Sequence, residues 1–351
     1  MLRKNTRIAV LTATLALAGL QASAQDIHFT QFEASPLIVN PAFTGNFDGT
    51  FRAAAIYRDQ WRSVTIPFTT IAASIDAPIV HDLSIDDYLA AGVQFYSDKA
   101  GDGNLSNTSV LASVAYHKFL GGSGRRDPRS LLTIGLQGGY TQKSIDVSKL
   151  YFGDEFVNGY FQQGTSQEYP YLNNKIHYFT VNAGIAYSQR VSDAFGFTLG
   201  LGANNLNQPQ ESLERKKNSD VGLGIRYTGQ LGAIWNLSER FSLRPGILYQ
   251  TQSTAYELVA GNEFHYVVGS PEFPQIATSI FAGAYYRNSD AAMATVGVEF
   301  KGLRIGASYD YNTSSLKDAS KGNGGFEISL RYIQPDPIGF ARRLVYPCAR
   351  F

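Results

Sequence analysis

The chain has 351 residues, 30 basic and 29 acidic, a balance that points to neither nucleic acid nor an acidic membrane surface as partner. Its single cysteine, Cys348, excludes an internal disulfide, so the fold must hold by packing and hydrogen bonding. With 34 glycines, 21 tyrosines, 22 phenylalanines and 2 methionines, and no long apolar run after residue 24, transmembrane helices are excluded. A transmembrane barrel is not, because alternating strands never look hydrophobic in a sliding window.

Residues 1–24 have the layout of a cleaved export signal: a basic start (Arg3, Lys4, Arg7), an apolar run from Ile8 to Leu20, then Ala22-Ser23-Ala24. The run is shorter than the roughly 20 residues a spanning helix needs, so cleavage after Ala24 is expected rather than anchoring. No cysteine follows that site, so no N-terminal lipid anchor is expected either. Losing three basic residues leaves 27 against 29 acidic ones, a net charge of −2.

Residues 25–49 form an apolar leader whose core, SPLIVNPAFTG at 35–45, fits neither a strand nor a helix pattern. Pro36 and Pro41 fix their own φ, remove two backbone donors and push the preceding residues toward extended geometry. Leu37, Ile38, Val39 and Phe43 nevertheless need a place to be buried. Ser35, Pro36, Leu37, Asn40, Pro41, Phe43 and Gly45 are therefore expected to pack in or under a lumen as a partial plug and to form part of a docking face.

Strands are expected near 50–59, 67–77, 88–98, 107–120, 130–142, 176–190, 194–204, 223–236, 240–251, 255–268, 275–287, 292–300, 302–312 and 323–333. The signal is period 2, since successive side chains of a strand point to opposite faces. In LRIGASYDYN, Leu303, Ile305, Ala307, Tyr309 and Tyr311 oppose Arg304, Gly306, Ser308, Asp310 and Asn312. GFEISLRY, AFGFTLGLGA and LLTIGLQGGY alternate in the same way, whereas 255–268 does so least clearly. A soluble sandwich also alternates. Two features favour a membrane: many segments run about ten residues, enough to cross a bilayer at a tilt, and aromatics stand near strand ends at Tyr57, Tyr96, Tyr140, Trp235, Tyr249, Phe300, Tyr311 and Tyr332.

The expected fold is all-β: a transmembrane antiparallel outer-membrane β-barrel of about 14 strands over 50–333, with a non-barrel leader and a C-terminal periplasmic tail, 334–351. An even count sets both termini on one side, and closure removes unpaired edges. The gaps at 191–193, 237–239 and 301 follow even strands and are short, as periplasmic turns are; those at 143–175, 205–222 and 313–322 follow odd strands and are long. The brief connection at 252–254 breaks this parity. The leader and the Pro-containing tail should both start from the periplasmic side, and the terminal aromatic Phe351 is a candidate barrel-assembly signal.

Candidate chemistry is sparse. His28, His81, His117, His177 and His265 fit no metal-ligand spacing, and there is neither a nucleophile elbow nor a phosphate loop. GGSGRRDPR at 121–129, with Arg125, Arg126 and Arg129, reads as a solvated turn that could also bind a partner. No catalytic, metal or cofactor role is expected, and the chain is not expected to be an enzyme. Arg226, Arg244, Glu299, Arg304, Asp310, Glu327 and Arg331 fall on the polar faces of neighbouring strands and are expected to form lumenal ion pairs. A selective pore is the other use of such a lining. Three readings follow: a scaffold, an outer-membrane diffusion channel or small-hydrophobic-solute transporter, and a soluble secreted β protein.

The leader QFEASPLIVNPAFTG, then FRAAAIYRDQW, FAGAYYRNSDA, ASYDYNTSSL and GGFEISLRY resemble the PorP/SprF family of the type IX secretion and gliding apparatus, over nearly the whole mature chain. The leader and SYDYN are the most specific parts, and Phe326 departs from a histidine expected before the last-strand glutamate. The resemblance implies an outer-membrane barrel acting in protein secretion and gliding motility. It would dock or anchor a secreted surface protein, an adhesin-like cargo held by its C-terminal domain, and associate with the system's periplasmic ring proteins and outer-membrane lipid, with no nucleic acid.

Overall fold

The computed structural model describes residues 27–335, apart from residue 65 and residues 82–86, 123–127, 216–221 and 270–277. The export signal, Arg125, Arg126, Cys348, Phe351 and most of the tail lie outside the described residues.

Alternation becomes one closed antiparallel barrel of fourteen strands. They are β1 (Arg52–Gln60), β2 (Phe68–His81), β3 (Tyr88–Ala100), β4 (Leu105–Gly122), β5 (Pro128–Ser144), β6 (Lys175–Arg190) and β7 (Phe195–Asn204). They continue as β8 (Arg226–Asn236), β9 (Phe241–Gln252), β10 (Ala255–Val268), β11 (Thr278–Arg287), β12 (Ala291–Phe300), β13 (Leu303–Asn312) and β14 (Asn323–Ile333). Each pairs with its neighbours in chain order, and β1 pairs with β14 to close the ring. The weakly alternating segment is a full strand, β10, bonded to both neighbours. β8 starts three positions later than its pattern suggests because the preceding loop pairs with itself: Gln210 bridges Gly222, and Leu223 N–H donates to the Pro209 carbonyl.

Burial runs opposite to that of a soluble sandwich. On β13, Ile305, Tyr309 and Tyr311 are exposed, while Arg304, Ser308, Asp310 and Asn312 are buried. The same outward apolar row recurs on other strands, for example Ile71, Ile75, Val110, Val114, Ile134, Leu136, Leu199 and Leu201. So large an apolar surface is not left to water; it is the lipid-facing belt of a membrane barrel. No helix among the described residues is long and apolar enough to cross a membrane. One girdle residue is misassigned by its position alone: Tyr96 shares the inward face with Gln94 and packs on a lumenal cluster around Phe29 and Ile38. Leu136 lies near the middle of β5. Leu136→Arg is therefore expected to cost about 2–4 kcal/mol, and Leu120→Arg, near a strand end, about 0–1 kcal/mol. Urea titration of the barrel folded in vesicles checks the contrast.

The long connections, 145–174, 205–225 and 313–322, all leave the same end of the barrel, and 191–194, 237–240 and 301–302 are short turns at the other. The 253–254 turn stays brief although it lies at the long-loop end; its Ser253 adopts a left-handed φ of 53°.

Candidate functional site

The lumen is occupied by the leader. Phe32–Ala34 and Pro41–Phe43 form single 3-10 turns flanking a one-turn helix, Pro36–Val39. Both prolines open a turn, where a missing donor costs nothing, and the Ala42 N–H is received by Asn40 Oδ1 at 2.9 Å. This compact path explains why no strand period was present.

The seven leader residues singled out in the sequence all lie inside the barrel. Ser35, Pro36, Leu37, Asn40, Pro41 and Gly45 are buried, and Phe43 is half-buried. Asn40 Nδ2 donates to Gln230 Oε1 at 3.1 Å and to the Ile185 carbonyl at 3.3 Å. Gln137 Nε2 donates to the Leu37 carbonyl at 3.4 Å. Gly45 N–H donates to Asp76 Oδ2 at 2.6 Å. At φ 70° and pressed on Ala90, Gly45 has no room for a Cβ. The wall facing the turn is itself glycine: a Cβ on Gly135 would lie 2.4 Å from the Pro41 carbonyl, and one on Gly184 would lie 1.8 Å from Asn40 Oδ1. The leader does not keep to the short-turn end. Residues 46–50 lie there, beside Ile333 and Gln334, but Thr30 sits among Arg58, Arg287 and Asp310 near the long-loop end.

Charged side chains hold this path at two places. At the short-turn end, Arg52 grips Asp76 through two nitrogens at 2.7 and 3.0 Å and donates to the Phe43 carbonyl at 2.7 Å. Toward the other end, Arg58 bonds Asp310 at 2.9 Å and also Glu327. Those carboxylates receive Thr30 Oγ1 at 2.6 Å and the N–H groups of Thr30 and Gln31 at 2.7 and 3.0 Å. Between them, Arg304 forks onto Glu263 at 2.7 and 2.8 Å while lying 3.9 Å above the Phe281 ring.

Of the seven predicted lumenal charges, Asp310 and Glu327 therefore share Arg58, and Arg304 takes Glu263. Arg244 stands 3.9 Å from Glu299. Arg226 and Arg331 donate to the leader carbonyls of Ile38 at 3.3 Å and Glu33 at 3.5 Å. Sequence reasoning missed Arg52, Arg58, Asp76, Glu263, Thr30 and Gln31. A signal for the first two existed, since Arg52, Ala54, Ile56 and Arg58 share one face of β1; none existed for Thr30 and Gln31.

Two of the histidines, His117 and His265, belong to the lining, whereas His81 and His177 are exposed. A nitrogen of His117 meets the Thr44 carbonyl at 2.7 Å, the other meets Thr133 Oγ1 at 3.0 Å, and the ring stacks on Tyr88. His265 Nε2 bonds Glu263 at 3.0 Å. Among the described residues no three His, Cys, Asp or Glu side chains gather as metal ligands would.

The sequence profile of the family described as "Type IX secretion system membrane protein PorP/SprF" matches residues 21–332. The chain belongs to the PorP/SprF family. This PorP/SprF protein is thus an outer-membrane β-barrel of the type IX secretion system, with the family and fold of a membrane barrel component. No curated protein matches it. Similar solved structures include the CymD monoaromatic hydrocarbon channel, at 8% identity over 86% of this chain and 93% of that one, TM-score 0.48. Others are the toluene transporter TodX of Pseudomonas putida (11%, 88% and 93%, TM-score 0.43) and BamA of Haemophilus ducreyi lacking POTRA domains 1–3 (9%, 82% and 70%, TM-score 0.40). They bear on neither the substrate nor the partner of this PorP/SprF protein.

Its longest connection, 145–174, is an ordered cap containing a hairpin of Phe156–Val157 with Tyr160–Phe161. The buried Glu155 carboxylate ties it together, receiving the N–H groups of Phe152 at 3.0 Å and Gly164 at 2.7 Å and the Tyr169 hydroxyl at 3.0 Å. The Phe152 N–H is the main cause that holds the Glu155 carboxyl below its ordinary range, with Gly164 and Tyr169 adding to it. A folded-state pKa below the unfolded one means a lock at full strength above the ordinary carboxylate range and lost as pH falls through the lowered value. Proteolytic nicking within 145–174 is expected to rise on acidification through that window. Glu155→Gln, left with one acceptor oxygen, should be nicked readily even at neutral pH.

Proposed function

We propose that this PorP/SprF protein is a plugged docking component of the outer membrane. It holds a secreted, adhesin-like surface protein through that protein's C-terminal domain and meets the periplasmic ring proteins from its short-turn end. It does not conduct solutes. The observation that supports this reading is the leader itself: its buried residues fill the lumen and bond to β2, β4, β5, β6, β8, β13 and β14. A channel needs a free path through that space, whereas a scaffold gains from a rigid, closed body on which both mouths can be contacted. Family membership in a secretion apparatus points the same way.

Two measurements decide it. Purified protein in liposomes should leave small-solute flux at the level of empty vesicles, and deleting the gene should release one specific surface protein into the medium without altering solute uptake. Pull-down from solubilised outer membrane followed by mass spectrometry identifies that protein and the ring contacts. Flux through the intact barrel, or an unchanged set of displayed proteins after deletion, would instead support the diffusion-channel reading.

A further inference from the structure

The ring has one weak point set by chain order. All other pairs join strands consecutive in sequence, but β1 and β14 must meet across the whole barrel sequence, from Arg52 opposite Ile333 to Gln60 opposite Gly325. Bringing the ends of a flexible segment together costs entropy that rises with the logarithm of its length, so this seam is the costliest pairing to form and has no hairpin to template it.

Behind the seam lies a dense set of lumenal bonds. Arg58 of β1 reaches across to Glu327 of β14 and Asp310 of β13. Thr30 and Gln31 add their backbone N–H groups to Glu327 and the Thr30 hydroxyl to Asp310. The Gln31 amide joins both strands again, donating to Ser308 Oγ on β13 at 3.3 Å and accepting from Ser329 Oγ on β14 at 2.7 Å. A Cβ on Gly306 would lie 2.3 Å from Gln31 Oε1, so the sheet is cut away to admit this amide. The second half of the leader is fixed to the other side of the barrel: Asn40 to β6 and β8, Thr44 to Ser113 on β4 at 2.8 Å, Gly45 to Asp76 on β2. The leader then continues covalently into β1.

We propose that the leader is the device that closes the barrel. Anchored on β2–β8 and leading directly into β1, it presents Thr30 and Gln31 as a landing site for β13 and β14, and Arg58 latches the joined strands. Capturing the last two strands through a short segment that directly precedes β1 replaces an encounter across the whole barrel sequence with a local one. The inference concerns assembly and stands whether or not the cargo reading holds.

The test uses the full mature chain in a Cys348→Ser background, refolded from urea into detergent micelles, with folding read as the heat-dependent shift in gel mobility. The pair Thr30→Ala with Gln31→Ala leaves Arg58 and its carboxylates in place and is expected to lower the folded yield several-fold. Tyr57→Cys with Ile328→Cys, opposite each other across the seam, should restore the yield when oxidised before refolding, because the disulfide joins the strands in advance. Leu199→Cys with Leu231→Cys, opposite each other on β7 and β8, should not. Parental yield in the Thr30/Gln31 variant overturns the proposal. So does equal rescue by both disulfides, or failure of the seam disulfide to rescue.

Discussion

Arg58→Ala is expected to be the most damaging single substitution in the protein, abolishing the heat-resistant folded band or lowering the urea midpoint further than any other lumenal change. Arg58 is 2% exposed, and its guanidinium is the cation that Asp310 (1%) and Glu327 (0%) share. Removing one partner of a buried pair strands the other, at about 3–5 kcal/mol; here Glu327 loses its cation, while Asp310 is left with Arg287 at 3.5 Å. Arg58→Lys should not rescue, because a single ammonium nitrogen cannot stand both where Nη1 meets Glu327 and where Nη2 meets Asp310. The combination Arg58→Met, Asp310→Asn and Glu327→Gln should lie closer to the parent, since it removes the charges together and keeps one acceptor oxygen where Glu327 now receives the Thr30 and Gln31 N–H groups. If that triple variant proves no better than Arg58→Ala, the damage comes from lost packing rather than from stranded charge.

Gly135→Val is the second, and its effect should appear at the leader rather than in the sheet. A Cβ at this position meets backbone, with Pro41 C and O at 2.4 Å and Ala42 N at 2.5 Å. Backbone cannot rotate away as a side chain can, so the Pro41–Phe43 turn must leave the wall. Overpacking of this kind costs about 1–3 kcal/mol, enough to displace a segment while the hydrogen-bonded strands survive. The expected result is a lowered folded yield and, in the fraction that folds, a barrel whose leader is cut by added protease and whose liposomes now pass small solutes. Gly229→Ala is the control: its nearest non-neighbour atom is 3.9 Å away, so neither reading should change. A folded Gly135→Val barrel with a protected leader and no flux would show that the turn does not seal the lumen.

The two substitutions also mark where sequence reasoning reached and where it stopped. A strand declares itself locally, because the period of two is a property of the backbone. The alternations that marked out 303–312 and 323–333 therefore coincide with β13 and β14 almost residue for residue. Neighbouring strands pair in chain order, so the ring followed from the same pattern. Strand length and the aromatics near strand ends favoured a lipid-facing apolar side, and the structure decides it: the apolar rows are exposed, and Arg58, Asp76 and Glu263 are inside.

Pairing inside the lumen was not legible, since opposite charges meet wherever a long side chain reaches. Glu327 shares a face of its strand with Arg331 but bonds Arg58, which is 269 positions away. Gly135 and Gly184 fall within the strands expected at 130–142 and 176–190; only the leader pressed against them accounts for their having no side chain.

The sequence by itself determined the strands and their order, because both follow from a local period, and its leader and late strands carried the resemblance to the family. Only the tertiary structure decided that SPLIVNPAFTG threads the lumen, with Thr30 carried up to the closing seam. An irregular segment has no period to read, and its path is set by contacts such as that between Thr30 and Glu327, 297 positions apart.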